Sequence, residues 1–426
     1  MAKKKFSAGL TFGLSLLSLI VGCVIGAGGA YAQANGLFDV KQSEDNTDHS
    51  HKSEKIEGVV YDDFQIHFMT LGNEYAGDSV YIKAGDNDIL IDAGSRSGSA
   101  STTTSYMDNY VKDRKLEYVI ATHGDQDHID AFPKILEHYS AGVIIRNRNS
   151  NKTTNTYKKM ETAFENQVST NGAKMYYADQ CFDNVEGASR SFLLSDKVTM
   201  DIVYNYYYWN TSSDENNYSV CTLFTYASSE GNKYFLLTGD LEKEGEEKLS
   251  SYYDGSTKEK TLPEVDLFKA GHHGSKSSSN DCLLNIIKPK MCVVSCCCGT
   301  DEYTGATENQ FPTQQFIDRI SKWTDEVYVT SIYESYEIST ANSNKDKKGV
   351  AAGGQYIHTT GRKDMNGNVV VSCGKDTTSN KISIGLACSN NTTKLKDSDW
   401  MNLKVTIDGK EMYVRTMPDS WKSTTA

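Results

Sequence analysis

The sequence predicts an α+β protein in which helices cover the outside of mixed β-structure. Strand-like runs come first as hairpins and then alternate with helical stretches. Three runs, far apart in the chain, also end on residues that can donate to a metal.

The first strand-like runs cover 64–69, 79–84 and 88–94, and Gly85-Asp86-Asn87 fits a hairpin turn between the last two. A Ser/Thr/Gly-rich loop at 95–105 leads into a helical stretch at 104–112 and a strand at 116–120 that ends at Ala121. Residues 132–139 read as a short helix and 142–145 as a strand. A helix at 157–170 follows an Asn- and Thr-rich loop at 147–156. The second set of strands is 198–204, 218–226, 233–238 and 265–270. Between its first two members, Tyr206-Tyr207-Tyr208-Trp209 either lines a cleft by stacking or covers a sheet edge. Residues 312–323 read as a helix closing the large domain, and 327–330 as an edge strand. Beyond about 341 the chain is rich in Gly, Asn, Lys and Thr. Short strands at 368–371, 381–384 and 402–407 and a turn at Asp408-Gly409 predict a small β-rich extension over 341–426. His358, within that extension, is read as a surface residue that can also reach the site.

A chain of 426 residues buries a substantial core and holds one large domain with additions. With 56 acidic against 44 basic residues the net charge is -12, which excludes a general field attracting nucleic acid but not a local basic groove. Lys3, Lys4 and Lys5 precede an uncharged apolar stretch from Phe6 to Ala30 that is long enough to cross a bilayer. Ala30-Tyr31-Ala32 matches a signal-peptide cleavage pattern. Residues 1–33 are therefore read as a retained membrane anchor or, second, as a signal peptide cleaved after Ala32, with lipidation at Cys23 a third option. Either way the rest of the protein is expected outside the cytoplasm. Residues 34–57 read as a flexible tether, and its His49 and His51 are assigned no role. The ten cysteines, three of them adjacent at Cys296-Cys297-Cys298, form no disulfide framework and are read mostly as buried thiols. Cys373 and Cys388 are the best candidates for a pair.

His123-Gly124-Asp125-Gln126-Asp127-His128 puts four donors within six residues directly after a strand, where a tight turn aims short side chains at one point. Histidine and aspartate together suit Zn, Mn or Fe. Two later strands end on Gly239-Asp240 and on Gly271-His272-His273-Gly274. Lys276, among Ser275, Ser277 and Ser278, is the best local anion-binding group, with Arg96 and Arg146 lesser candidates.

Through most of 62–335 these motifs resemble the metallo-beta-lactamase fold, and within it the soluble hydrolase domain of the ComEC/Rec2 competence proteins. The motifs that carry the resemblance run in order. They are the opening strand from Phe64 to Gly72, Gly77-Asp78-Ser79, Ile91-Asp92-Ala93-Gly94, the His123 cluster, Leu237-Thr238-Gly239-Asp240 and His272-His273-Gly274-Ser275. The resemblance implies a four-layer αββα sandwich over 58–340 with the site along one edge. It implies one metal position at His123 and Asp125, a second at Asp127 and His128 completed by His273, and Asp240 bridging the two. His272 would contact the substrate or donate a proton to the leaving group, making Asp127, His272 and Asp240 the catalytic residues. Asp78 and Asp92 would fix the site loops through hydrogen bonds.

The sequence departs from the wider fold family in three places. Asp125 replaces a second histidine. Asn217 and Ser219 occupy the region of a further histidine and become possible substrate contacts. The turn at 309–314 has no histidine. The implied function is a hydrolase with one or two Zn or Mn ions, a phosphodiesterase or nuclease using a metal-bound hydroxide on DNA or another extracellular phosphodiester. The alternatives are a phosphorylcholine-type esterase acting on cell-wall polymers and a non-catalytic binding protein with a degenerate metal site. The ligand set disfavours β-lactam hydrolysis.

Overall fold

Two mixed sheets pack face to face. The first runs in the order Glu57–Gly58, Ile382–Cys388, Val369–Lys375, Phe64–Phe68, Val80–Ala84, Asn87–Ile91, Lys115–Ala121, Ser140–Arg146, Lys174–Tyr177. The second runs Tyr356–Asp364, Val327–Ser339, Cys292–Cys298, Leu267–Lys269, Lys233–Leu237, Thr222–Tyr226, Val198–Ile202, Ser191–Leu193. This computed structural model describes residues 56–422 apart from 97, 303–305, 340–355 and 408–409. The expected anchor, its cleavage site, nearly all of the tether and the Asp408-Gly409 turn lie outside the described residues. No helix among the described residues is long and apolar enough to cross a membrane.

The first sheet is antiparallel on one side and parallel on the other, and the second has a parallel centre flanked by antiparallel strands. Asn87–Ile91 through Lys174–Tyr177 are parallel neighbours, as are Lys233–Leu237 through Val327–Ser339. Parallel neighbours need long crossovers, and helices supply them. Ser99–Met107, Phe132–His138 and Asn155–Asn171 serve the first sheet, and Lys243–Tyr252, Asp281–Ile287 and Gln314–Ile320 the second. The crossovers bury both faces of the parallel strands, so these strands read as continuous apolar runs; all seven residues of Cys292–Cys298 are buried.

Three apolar clusters separate the layers. Phe64, Ile66, Ile89 and Ile120 meet Phe224, Phe235, Leu267 and Val293 between the sheets, with the Phe64 and Phe235 rings edge to face at 5.0 Å. Their neighbours point the other way. Leu90, Val119 and Ile144 pack on Phe132 and Phe164, while Leu236, Phe268 and Val294 pack on Leu249, Leu284 and Phe316. The four-layer sandwich is therefore present.

Several expected details differ. The helix expected at 104–112 spans Ser99–Met107 instead, with the Ser99 hydroxyl donating to the Arg96 carbonyl and that of Thr103 to the Ser99 carbonyl. The predicted edge strand at 327–330 is an interior strand of thirteen residues, paired on its far side by Tyr356–Asp364. The expected boundary at 340 does not separate the strands on either side of it. Val369–Lys375 and Ile382–Cys388 continue the first sheet beside Phe64–Phe68, and Tyr356–Asp364 closes the second. Cys373 and Cys388 do not pair, since they stand opposite Ile384 and Val369 and are both buried thiols.

The final segment packs against the helix side of the second sheet through Trp400, Leu403 and Trp421. Buried Arg415 lies over the Trp400 ring and donates to the carbonyls of Gln310 and Pro312. The loop thus held carries Phe311, whose ring is 5.7 Å from that of His272. On the neighbouring helix, buried Glu246 accepts from the Ser279 and Asn280 amides, fastening the helix to the segment after His273.

Two tests follow. A chain ending at residue 339 loses strands from both sheets and should show no cooperative urea unfolding; a full-length-like transition would contradict this topology. Burial lifts the Glu246 carboxyl to about 7, against the pull of the amides it accepts from. The folded state then holds more protons than the unfolded one between roughly pH 4.5 and 7, so stability falls as pH rises through that window. Glu246→Gln should flatten this slope in denaturation series, and an unchanged slope would refute the assignment.

Candidate metal centre

The edge where the parallel strands end gathers the polar residues. Asp92 follows Asn87–Ile91, Thr122 and His123 follow Lys115–Ala121, Asp240 follows Lys233–Leu237, and His272 and His273 follow Leu267–Lys269. Asp78 precedes Val80–Ala84, which runs antiparallel to Asn87–Ile91, so its start lies at the same edge. Asp127 and His128 sit on the single-turn helix Gln126–Ile129. Gly239 turns the chain at φ 56, where a Cβ would lie 2.8 Å from Ser219 Oγ and 3.0 Å from Thr122 Cβ. His272 and His273 are both left-handed, at φ 48 and 53. That conformation costs roughly 1–3 kcal/mol per residue and ends the alternation of a strand.

Three donor atoms converge at the buried end of the site, and a fourth lies beside one of them. His128 Nε2 lies 3.3 Å from His273 Nε2 and 3.1 Å from Asp240 Oδ2. His273 Nε2 lies 3.2 Å from Asp240 Oδ2 and 3.3 Å from Asp127 Oδ2. Ligands at about 2.0–2.1 Å from a tetrahedral ion stand roughly 3.3 Å apart, so these separations match the edges of such a shell.

Proton positions follow from the outer partners. His128 Nδ1 is 2.7 Å from Asp92 Oδ2, an acceptor, and His273 Nδ1 is 2.9 Å from the Ser295 carbonyl, which can only accept. Both Nδ1 atoms therefore carry hydrogen, and in the neutral rings both Nε2 atoms present bare lone pairs to each other and to two carboxylates. His123 obeys the same logic. The Thr122 hydroxyl donates to Asp92 Oδ2 at 2.7 Å, so at 3.0 Å it can only accept from His123 Nδ1. That leaves His123 Nε2 buried with no hydrogen-bond partner. Such an arrangement is stable only around positive charge. Burial opposes charging these rings; at His128 and His273 Asp240 and its neighbours outweigh it, holding His128 well above the ordinary histidine range and raising His273 to about 10, whereas at His123 burial and the neighbouring His128 lower the pKa.

Asp78 joins His128, Asp240 and His273 as a possible fourth ligand. It was expected to act through hydrogen bonds; its main partner is instead the ammonium of Lys269, 2.6 Å from Asp78 Oδ2 and 3.7 Å from Asp240 Oδ1. Burial alone would lower the Lys269 pKa, but Asp78 and Asp240 hold it above the usual lysine range. Asp92 does work through hydrogen bonds, accepting from the Thr122 amide and hydroxyl as well as from His128.

The cluster opens into a cleft of about 330 Å³ whose lining includes Ser95, Arg96, Asp127, Asp240, His272 and Glu302. Arg96 pairs with Glu302 at 3.0 Å and lies over the Tyr75 ring. His272 sits at the rim with its Nδ1 3.0 Å from Glu242 Oε1. Asp125 lies 3.7 Å from His123 Nε2 and pairs with Lys152.

Other candidates lie elsewhere. Asn217 and Ser219, offered as substrate contacts, are buried. Asn217 accepts from the Gly245 amide, and Ser219 donates to the Asn216 carbonyl while accepting from the Asp240 amide. Lys276 is not in the cleft lining but bonds to Asn309 on the exterior at 2.6 Å. Arg146 pairs with Glu161 on a covering helix, and His358 with Asp301. Tyr207 and Tyr208 are buried, and Trp209 packs on Phe182 and Tyr204 rather than lining the cleft. Lys269, Glu242, Lys152 and Glu302 were not singled out in the sequence. Only Lys269 carried a signal, as a lysine inside an otherwise apolar strand run beside the histidine pair.

The model of the metallo-beta-lactamase superfamily matches residues 72–188. The chain is 26% identical over 182 residues to ComE operon protein 3 of Bacillus subtilis, covering 43% of this chain and 20% of that one. It is 25% identical over 227 residues to competence protein ComA of Neisseria gonorrhoeae, covering 53% of this chain and 26% of that one. A shorter stretch of 66 residues is 33% identical to Recombination protein 2 of Haemophilus influenzae, covering 16% and 7% of the two chains. The chain thus spans about a quarter or less of the length of these relatives. Among solved structures it is similar to the metallo-beta-lactamase fold protein YhfI of Bacillus subtilis, at 11% identity and TM-score 0.32, covering 63% of this chain and 96% of that one. Residues 72–188, the stretch that holds Asp78 and His128, thus match the metallo-beta-lactamase superfamily, and Asp240 and His273 join them at the strand ends.

Proposed function

We propose that the protein is a metal-dependent hydrolase that cleaves a phosphodiester. The observation that carries the metal reading is the convergence of the His128 and His273 Nε2 atoms and Asp240 Oδ2 at tetrahedral spacing, with Asp127 Oδ2 3.3 Å from His273 Nε2. His128, His273, Asp127 and Asp240 would hold the ion, with Asp78 a further donor. The all-nitrogen-and-oxygen donor set fits Zn or Mn. A divalent ion bound there supplies Lewis acidity toward water and toward a phosphate oxygen.

The protein's own groups supply the rest. Asp92 and the Ser295 carbonyl orient the two liganding rings. Glu242 fixes His272 with Nδ1 protonated, which leaves Nε2 as the position that exchanges a proton with a leaving oxygen. Arg96 at the cleft favours an anionic substrate, though Glu302 offsets part of its charge. Relatives named for competence and recombination support DNA as the substrate; cell-wall phosphodiesters fit the same chemistry. The charge pattern of residues 1–33 supports placing this domain outside the cytoplasm, tethered to the membrane or released after Ala32. A protease added to intact cells should then degrade it, and protection until lysis would refute export.

Two variants test the site. Asp240→Ala should lose most bound Zn or Mn by elemental analysis and lower cleavage of bis-p-nitrophenyl phosphate by at least about 100-fold with the fold intact. A metal-free but fully active variant would overturn the proposal. Comparing DNA with phosphorylcholine esters identifies the substrate, and preferential turnover of the choline ester would replace DNA by the wall-polymer reading. Glu242→Gln should lower kcat roughly tenfold or more with metal content unchanged, because His272 loses its orienting carboxylate; loss of metal instead would place Glu242 in the ligand shell.

A further inference from the structure

The His123 end of the cleft differs from the His273 end. His123 Nε2 is buried with no hydrogen-bond partner, and Asp125 Oδ2 stands 3.7 Å away. The other oxygen of Asp125 is taken by the Lys152 ammonium. Among the described residues, a third protein donor at this end has to be shared with the other end. The Ser219 hydroxyl is spent on the Asn216 carbonyl and the Asp240 amide, and Asn217 bonds to Gly245 and Ser212; Asp240 Oδ1, buried with no hydrogen-bond partner and 3.7 Å from the Lys269 ammonium, is the remaining candidate. Sites that hold Zn use at least three protein ligands; this end reaches three only by sharing Asp240, whose Oδ2 lies at the His128 and His273 end, and another of the three, Asp125, is already paired with a cation.

The position of Lys152 is built into the fold. Its loop is pinned by the Asn147 amide group on the Tyr218 carbonyl at 2.7 Å and that of Asn149 on the Tyr208 carbonyl at 2.8 Å. The loop then enters the helix Asn155–Asn171 through a Thr154 cap that accepts from the Tyr157 amide. Opposite, Glu215 accepts from the Gly124 amide and fixes the turn that carries Asp125. Both partners of the ion pair thus hang from anchored backbone.

We infer that the centre holds one ion, at the His128 and His273 end, and that the Lys152 ammonium takes the place of a second ion beside His123 and Asp125. This rests on the cluster being a metal centre, as proposed above. Lys152 then supplies a fixed positive charge on the Asp125 side of the cleft, and the Asp125 carboxylate is its holder and not a ligand.

The test is metal stoichiometry of the full chain, stripped by chelation and titrated with Mn(II) alone. Wild type should bind one equivalent. Lys152→Met should bind a second at least tenfold more tightly than wild type does, with the spin-coupled signal of an Mn(II) pair in electron paramagnetic resonance. Lys152→Arg, which keeps the charge, should stay at one. Two equivalents of similar affinity in wild type, or a second site as weak in Lys152→Met as in wild type, would overturn the inference while leaving the metal centre standing. Zero equivalents in every variant would overturn both.

Discussion

Each buried imidazole of the cleft has one ring nitrogen committed to an acceptor, and that commitment decides what the other nitrogen does. Asp92 accepts from His128 and through Thr122 fixes His123, while the Ser295 carbonyl accepts from His273. Three lone pairs then face into space shared with Asp127 and Asp240. In a buried setting, hydrogen bonds to an ionised group contribute roughly 1.5–3 kcal/mol each, while an unpaired charge costs more than that. The cluster is therefore stable around positive charge, supplied by an ion or by protons on His128 and His273. Lys269 meets part of that demand from beneath, between Asp78 and Asp240.

The scaffold serves this constraint. Parallel strands joined by outer helices bring their carboxyl-terminal ends to one edge, where chain turns need left-handed residues and a glycine. Gly239, His272 and His273 occupy those conformations. The strain is offset by packing that reaches far along the chain: Arg415 and Trp400 hold the loop whose Phe311 lies against both histidines. The strands after residue 355 are thus part of the machine that shapes the cleft.

Much of this was legible in the sequence because it is local. Strand runs ending on His123, Asp240 and His272 could be read from periodicity, and the order of the motifs pointed to the four-layer fold. What escaped depends on contacts between distant residues. Lys152 meets Asp125 across 27 positions and Lys269 meets Asp78 across 191, and no spacing rule links them. Asn217 and Ser219 look like open polar groups in a sequence, yet the fold uses all their hydrogen bonds internally. A predicted edge strand became interior because its partner, Tyr356–Asp364, lies in a stretch whose composition resembles a loop. The boundary at 340 was drawn from composition, which does not register long-range pairing.

The most direct measurement is anomalous diffraction at the Mn edge from crystals of the chain grown with Mn(II). The account predicts a peak about 2.0–2.3 Å from His128 Nε2, His273 Nε2 and the Asp240 carboxylate. A peak at another place, or full occupancy by ordered water alone with the rings rotated off Asp92 and Ser295, would contradict it.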